Sequence, residues 1–178
     1  TVNIFLFVNA DLSKGAMVRS VITTTEAKTA VLQELLVPSC YSCGLATVSG
    51  TDGIIIVADP SSPVKLTEAG KHYKLGELIG KAVMEAVQQA LYQQTGLCAD
   101  QQFDVFKRIG RFGLTEQRLW DIAVEQGVAP NEISPRLKSL VEDKKLVIYT
   151  SLFAHLLDQL RWRMIPVASA ADVAAELL

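Results

Sequence analysis

The apolar positions change period along the chain, and each change marks an element. Asn3 to Asn9 is an almost unbroken apolar run of strand length, which predicts a strand buried on both faces or nearly so. Asp11-Leu12-Ser13 interrupts it as a turn, with Ser13 offering the better capping oxygen for a helix. From Lys14 to Leu35 the pattern becomes helical, with a stripe at Met17, Val18, Val21, Ile22, Thr25, Thr29, Leu32 and Leu36. Three consecutive β-branched residues, Thr23-Thr24-Thr25, sit inside that helix although they are poor helix formers. Glu26 and Lys28 lie two apart and so face different sides. Pro38 is expected to end the helix.

Two further strands, Tyr41 to Val48 and Gly53 to Ala58, are expected on either side of a glycine-punctuated polar turn, Gly44 to Gly53. Asp52-Gly53 is a strong turn dipeptide, so the plainest reading of this stretch is a hairpin. Asp59 to Pro63 is a loop by composition. A second helix runs from about Leu75 to Gln94, with an orderly stripe at Leu75, Leu78, Ile79, Ala82, Val83, Ala86, Val87, Ala90 and Leu91 and with Gly96 as its C-cap. The order strand, helix, strand, strand, helix gives an α+β class, a sheet with long amphipathic helices packed on it.

The pattern shifts near residue 98. Thr115 caps a helix from Glu116 to Gln126, Gly127 stops it, and a second helix covers Pro135 to Glu142. Lys144 to Tyr149 then has the composition of a wing strand, so residues 98–178 read as a mostly helical appendage of winged-helix-like pattern behind an α+β core at residues 1–97. A DNA-reading unit needs a basic face. Between Phe103 and Ile148 there are eight Lys and Arg against seven Asp and Glu, a net charge of +1, which favours a packing or oligomerisation role over nucleic-acid binding. Arg161-Trp162-Arg163-Met164 reads as a packed helix end.

Composition narrows the classes further. The 178 residues are 49% hydrophobic and 20% charged, a globular balance, and the net charge of −2 offers no general attraction to nucleic acid or anionic membrane. No apolar run reaches the roughly 20 residues of a membrane span. No secretory leader precedes the first strand, so a cytoplasmic location is expected, and a start in mid-strand without Met reads as a fragment. Cys40 and Cys43 form a C-x-x-C spacing, but His72 and His155 are isolated and Cys98 stands alone. That set gives no zinc spacing and no redox motif at a helix start. The cysteines therefore read as reduced thiols without a role, no metal ligands are assigned and no cofactor is expected.

The segments Thr1-Val2-Asn3-Ile4, Thr23-Thr24-Thr25-Glu26-Ala27-Lys28-Thr29-Ala30, Gly44-Leu45-Ala46-Thr47, Gly50-Thr51-Asp52 and Gly70-Lys71-His72-Tyr73-Lys74-Leu75-Gly76-Glu77-Leu78-Ile79-Gly80 occur in one order over residues 1–91. In that order and spacing the chain resembles the adenosylcobinamide amidohydrolase family. Where the family loop usually reads Ala-Thr-Gly-Thr-Gly-Thr-Asp, this chain has Val48-Ser49 in its middle. The resemblance implies hydrolysis of the amide that joins aminopropanol to the corrin, converting adenosylcobinamide to adenosylcobyric acid in corrinoid salvage for cobalamin synthesis. The corrinoid is then a substrate, not a cofactor. A non-catalytic corrinoid-binding or regulatory protein is the alternative, a DNA-linked regulator a third reading, and a homo-oligomer is compatible with either of the first two.

Amide hydrolysis needs an activated water or hydroxyl, a proton for the leaving amine and a stabiliser for the oxyanion. Asp52 or Glu26 is the candidate base, acting on a water or on a threonine hydroxyl such as Thr51. His72 is the one side chain of the matched region suited to shuttling protons near neutral pH. The amides of Gly50 and Thr51, with Asn9, are the candidate oxyanion donors. Lys28 and Lys74 are expected to tune the carboxylates or orient the corrin's amides. Thr47, Ser49 and Glu77 complete the substrate-binding set.

Overall fold

The structure, a computed structural model, describes residues 1–177 apart from the side chain of residue 142. The chain divides into two compact units: Thr1–Val37 with Leu45–Cys98, and Pro38–Gly44 with the helical remainder from Ala99.

In the first unit, β1 (Asn3–Val8) pairs in parallel with β3 (Gly53–Ala58), Asn3 opposite Gly53 and Val8 opposite Ala58. A second small parallel pair joins β2 (Asp11–Leu12) to β4 (Lys65–Leu66). The long helix α1 (Lys14–Glu34) connects β1 to β3, and α2 (Lys74–Thr95) follows β4. Ser13 caps α1 by accepting the Ala16 amide at 3.1 Å. Gly96, at φ 74°, closes α2 with a left-handed residue. At the end of α1 it is Leu36, at φ 52°, that turns the chain, two residues before Pro38.

The core forms where α1 and α2 meet the inner face of the sheet. Ala27 and Val31 of α1, with Leu35 capping its end, pack with Ile79, Val83 and Val87 of α2, and Ile4 and Leu6 close the cluster from the sheet. Gly76 is required here, because a Cβ at that position would lie 2.1 Å from the Gly70 carbonyl oxygen. Thr23 near the middle of α1 bonds to Ala69 just before α2, whereas Glu34 near the end of α1 meets Gln88 late in α2. The two helices therefore run in the same direction, from the carboxyl edge of the strands back toward the amino edge.

The expected strand at residues 41–48 is absent, and with it the hairpin. Residues 39–44 instead fold on themselves, the Ser39 and Ser42 hydroxyls taking the amides of Tyr41 at 3.2 Å and Gly44 at 3.1 Å. Short hydroxyl side chains that satisfy nearby amides compete with strand pairing. Gly53 thus opens a strand that pairs with the distant β1, and not with its sequence neighbour.

The second unit is helical: α3 (Val105–Ile109), α4 (Glu116–Glu125), α5 (Pro130–Glu142), α6 (Lys144–Arg161) and α7 (Val167–Leu177). Thr115 caps α4 through the Arg118 amide at 3.2 Å, as the sequence suggests. The expected wing strand at residues 144–149 is the first part of α6. Asp143 accepts the amides of Lys145 and Leu146 at 2.9 and 3.0 Å, and this cap decides for helix. Among the described residues the unit has no strand at all, so the winged-helix pattern does not hold. Ile109, Ile133, Leu137 and Val147 are buried in this unit. Trp162 and Met164, expected to pack, are exposed beyond the end of α6, where Arg163 takes φ 58°.

Candidate active site

The turn before β3 owes its shape to one carboxylate. Asp52 accepts the Ser49 amide at 3.0 Å and the Val2 amide at 3.2 Å, together with the Ser49 hydroxyl and the Lys28 amine. Lys28 reaches it from α1 with a side chain only 2% exposed, against 13% for Asp52. Burial raises the Asp52 carboxyl, but donation from Lys28, from both groups of Ser49 and from Val2 outweighs it and holds the carboxyl at about 2. A buried lysine without this partner would be an uncompensated charge.

The loop is also tied to α1 by backbone. Thr29 donates its hydroxyl to the Thr47 carbonyl at 2.9 Å, and Gln33 donates to the Ala46 carbonyl at 2.9 Å. A Cβ at Gly53 would come within 2.7 Å of Asn3 Oδ1, so a larger residue there would displace the Asn3 side chain. Thr51 is exposed and meets the Thr1 hydroxyl. Gly50 lies beside it, exposed.

These contacts enclose one side of an open cleft of about 460 Å³ lined by Val21, Thr25, Lys28, Val48, Ser49, Asp52 and Ile54. Val21, Thr25 and Lys28 follow one another at helical spacing down one side of α1. That i, i+4, i+7 pattern was the signal available in the sequence for Val21 and Thr25, which chemistry alone did not single out. Ile54 supplies the apolar floor at the start of β3.

The remaining candidates lie elsewhere. Asp52 precedes β3 and therefore sits at the amino edge of the parallel pair. Asn9 follows β1 at the carboxyl edge, about 20 Å away along six-residue strands. Its carbonyl accepts the Ser62 hydroxyl at 3.4 Å, and it is too far to share an oxyanion with Gly50 and Thr51. Thr23 bonds toward α2, yet at about 100° per residue it is nearly opposite Thr25 on α1. The segment leading into α2, with His72 and Lys74, is therefore on the side of α1 away from the cleft. Glu26 is exposed and turns about 160° from Lys28, close to the face of Arg19, which borders Gly70. Lys74 and Glu77 pair with each other at 2.9 Å, and Lys81, then Lys74, hold the Glu77 carboxyl down at about 2 on an exposed surface.

Among the described residues no three His, Cys, Asp or Glu gather as a metal site, and Cys40, Cys43 and Cys98 are free thiols. No described helix is long and apolar enough to cross a membrane.

A parallel strand–helix–strand core with a lysine–aspartate–serine cleft at its amino edge occupies the segment that comparison with known proteins identifies. Residues 1–99 match the adenosylcobinamide amidohydrolase (CbiZ) family, and the chain belongs to that family. It is also 50% identical over 95 residues to a protein of Methanocaldococcus jannaschii named "Uncharacterized protein MJ1613"; the match spans 53% of this chain and 36% of that relative. No solved structure matches it significantly.

Proposed function

We propose that the chain hydrolyses adenosylcobinamide to adenosylcobyric acid and aminopropanol, with the chemistry at the Asp52 cleft. The observation that carries this reading is the convergence of the Lys28 amine and the Ser49 hydroxyl on one partly buried carboxylate, within the segment matched to the family. A carboxyl held at about 2 is a weak proton acceptor at neutral pH, so its part is mainly to orient and to balance charge. In this assignment Asp52 orients the Ser49 hydroxyl, which holds a water at the amide carbon. As the water oxygen bonds to that carbon, its proton is relayed through the Ser49 hydroxyl to the amine nitrogen. The C–N bond breaks, and aminopropanol leaves with the carboxyl retained on the corrin. Lys28 stabilises charge that develops on the amide oxygen, with the Gly50 and Thr51 amides as further donors. The cleft takes the aminopropanol arm while the corrin remains outside, because the ring system exceeds a volume of about 460 Å³. Free thiols fit a reducing, cytoplasmic setting for the reaction.

The test is incubation of the protein with adenosylcobinamide and detection of adenosylcobyric acid by mass. Product formed by the native chain and lost in Asp52→Asn supports the proposal. Bound but unaltered adenosylcobinamide overturns it in favour of the non-catalytic corrinoid-binding alternative, which the limited span of the match to the relative also allows.

A further inference from the structure

Two-stranded sheets are marginal alone, and parallel strands normally occur within larger sheets covered on both faces. Here β1 has β3 on one side and no other strand beside it among the described residues. The Gly53 amide donates to the Val2 carbonyl at 3.2 Å, which fixes the phase of the ladder. Residues 4, 6 and 8 of β1 thus bond toward β3, and the backbone N–H and C=O groups of Asn3, Phe5 and Phe7 point to the open edge.

That edge borders a groove of about 480 Å³ between residues 1–6 and α2. Its far wall is the line Ala82, Ala86 and Ala90, which the core leaves exposed although these residues belong to the apolar stripe of α2. Among the described residues no charged side chain lines the groove. From Ala82 to Gln94 the wall runs about 18 Å, and six residues of strand span about 20 Å, so the groove has the length of one short strand. Small residues on the wall leave room for a strand whose inward side chains are apolar. The outer sheet face beside it is uncovered too, with Phe5 61% and Phe7 72% exposed.

We propose that the open edge of β1 accepts a third strand, seated over Ala82, Ala86 and Ala90, from the part of the family's polypeptide outside the matched segment. The match covers 36% of the M. jannaschii relative, so the larger part of that protein is polypeptide this unit does not contain. Backbone pairing supplies the affinity, and the alanine wall selects apolar side chains at alternate positions.

Short overlapping peptides covering the unmatched part of the relative test the proposal. Each is added to the full chain while amide exchange is followed by NMR. At least one peptide slows exchange at Asn3, Phe5 and Phe7, and Ala86→Glu and Ala90→Glu each weaken it about tenfold or more, since they bury an unpaired charge. Both residues are exposed, so circular dichroism and exchange within α1 stay unchanged in the variants. Failure of every peptide to slow those three amides overturns the proposal. So does protection that rises with the concentration of the chain alone, which would give the edge to a second copy.

Discussion

Among the described residues each unit holds one buried ion pair, and the two differ in what surrounds them. In the helical unit Arg111 grips Asp158 with two nitrogens, one bond measuring 2.7 Å, and the same guanidinium donates to the Cys43 carbonyl at 2.7 Å while lying 4.3 Å over the Phe112 ring. Side chains 8% and 11% exposed, with bidentate geometry, make this a closed structural clamp. Lys28 and Asp52 are buried to a similar extent but face an open cleft, and the carboxylate also holds a hydroxyl. A lysine amine is a compact charge with rotatable donors, whereas a guanidinium is a rigid planar fork, here engaged by both Asp158 and the Cys43 carbonyl. Similar burial therefore does not imply the same task. What separates the two pairs is whether a further molecule can reach the charge.

Substitutions sharpen this contrast. Asp158→Asn should cost about 3–5 kcal/mol of stability by stranding Arg111, measured as a shift in the urea midpoint, with the turnover of folded protein unchanged. Asp52→Asn should show a comparable loss by stranding Lys28, but with turnover lowered by about two orders of magnitude or more in the adenosylcobinamide assay. Equal kinetic effects of the two variants would erase the distinction.

Acid provides a smaller test. The Asp52 carboxyl is depressed in the folded state, so its contribution is complete above the unfolded value near 3.8 and disappears as pH falls toward about 2. About 2 kcal/mol should be lost across that window in chemical unfolding, and Asp52→Asn should flatten this part of the profile. The smallest expected change is Ser49→Ala, at about 1 kcal/mol, because it removes a single hydroxyl bond and leaves the amide bond in place. A drop in turnover larger than that cost explains would mark the hydroxyl as part of the chemistry.

Much of the first unit was legible in its sequence because its long elements carry strong periodicity and good caps. Ser13, Gly96 and the stripe around Ile79, Val83 and Val87 each state their role locally. The parallel pairing of β1 with β3 was not legible, since Asp52-Gly53 is a hairpin signal and nothing nearby names Asn3 as the partner of Gly53. The wing strand at residues 144–149 misled for a related reason: a β-rich composition there is overruled by the Asp143 cap. In the candidate site, the sequence pointed to Lys28, Ser49 and Asp52 as separate residues. Their grouping, and the distance of Asn9 from them, needed the strand direction. Arg111 and Asp158 drew no notice, although a carboxylate set in the apolar run of α6 was a signal that a cation must meet it.

The parallel pairing also bears on how fast the chain can fold. Asn3 and Gly53 are partners across 50 residues of sequence, so the first ladder bond forms only after a long loop has closed. Loop closure of this kind slows folding more than it weakens the native state. Lys28 and Asp52 meet across 24 residues, and their contact ties the later part of that loop to α1. Once α1 has formed, this tie leaves far less chain to search before β3 finds β1. Weakening the charged pair at the candidate site should therefore lengthen the refolding time, measured by stopped-flow after dilution from urea.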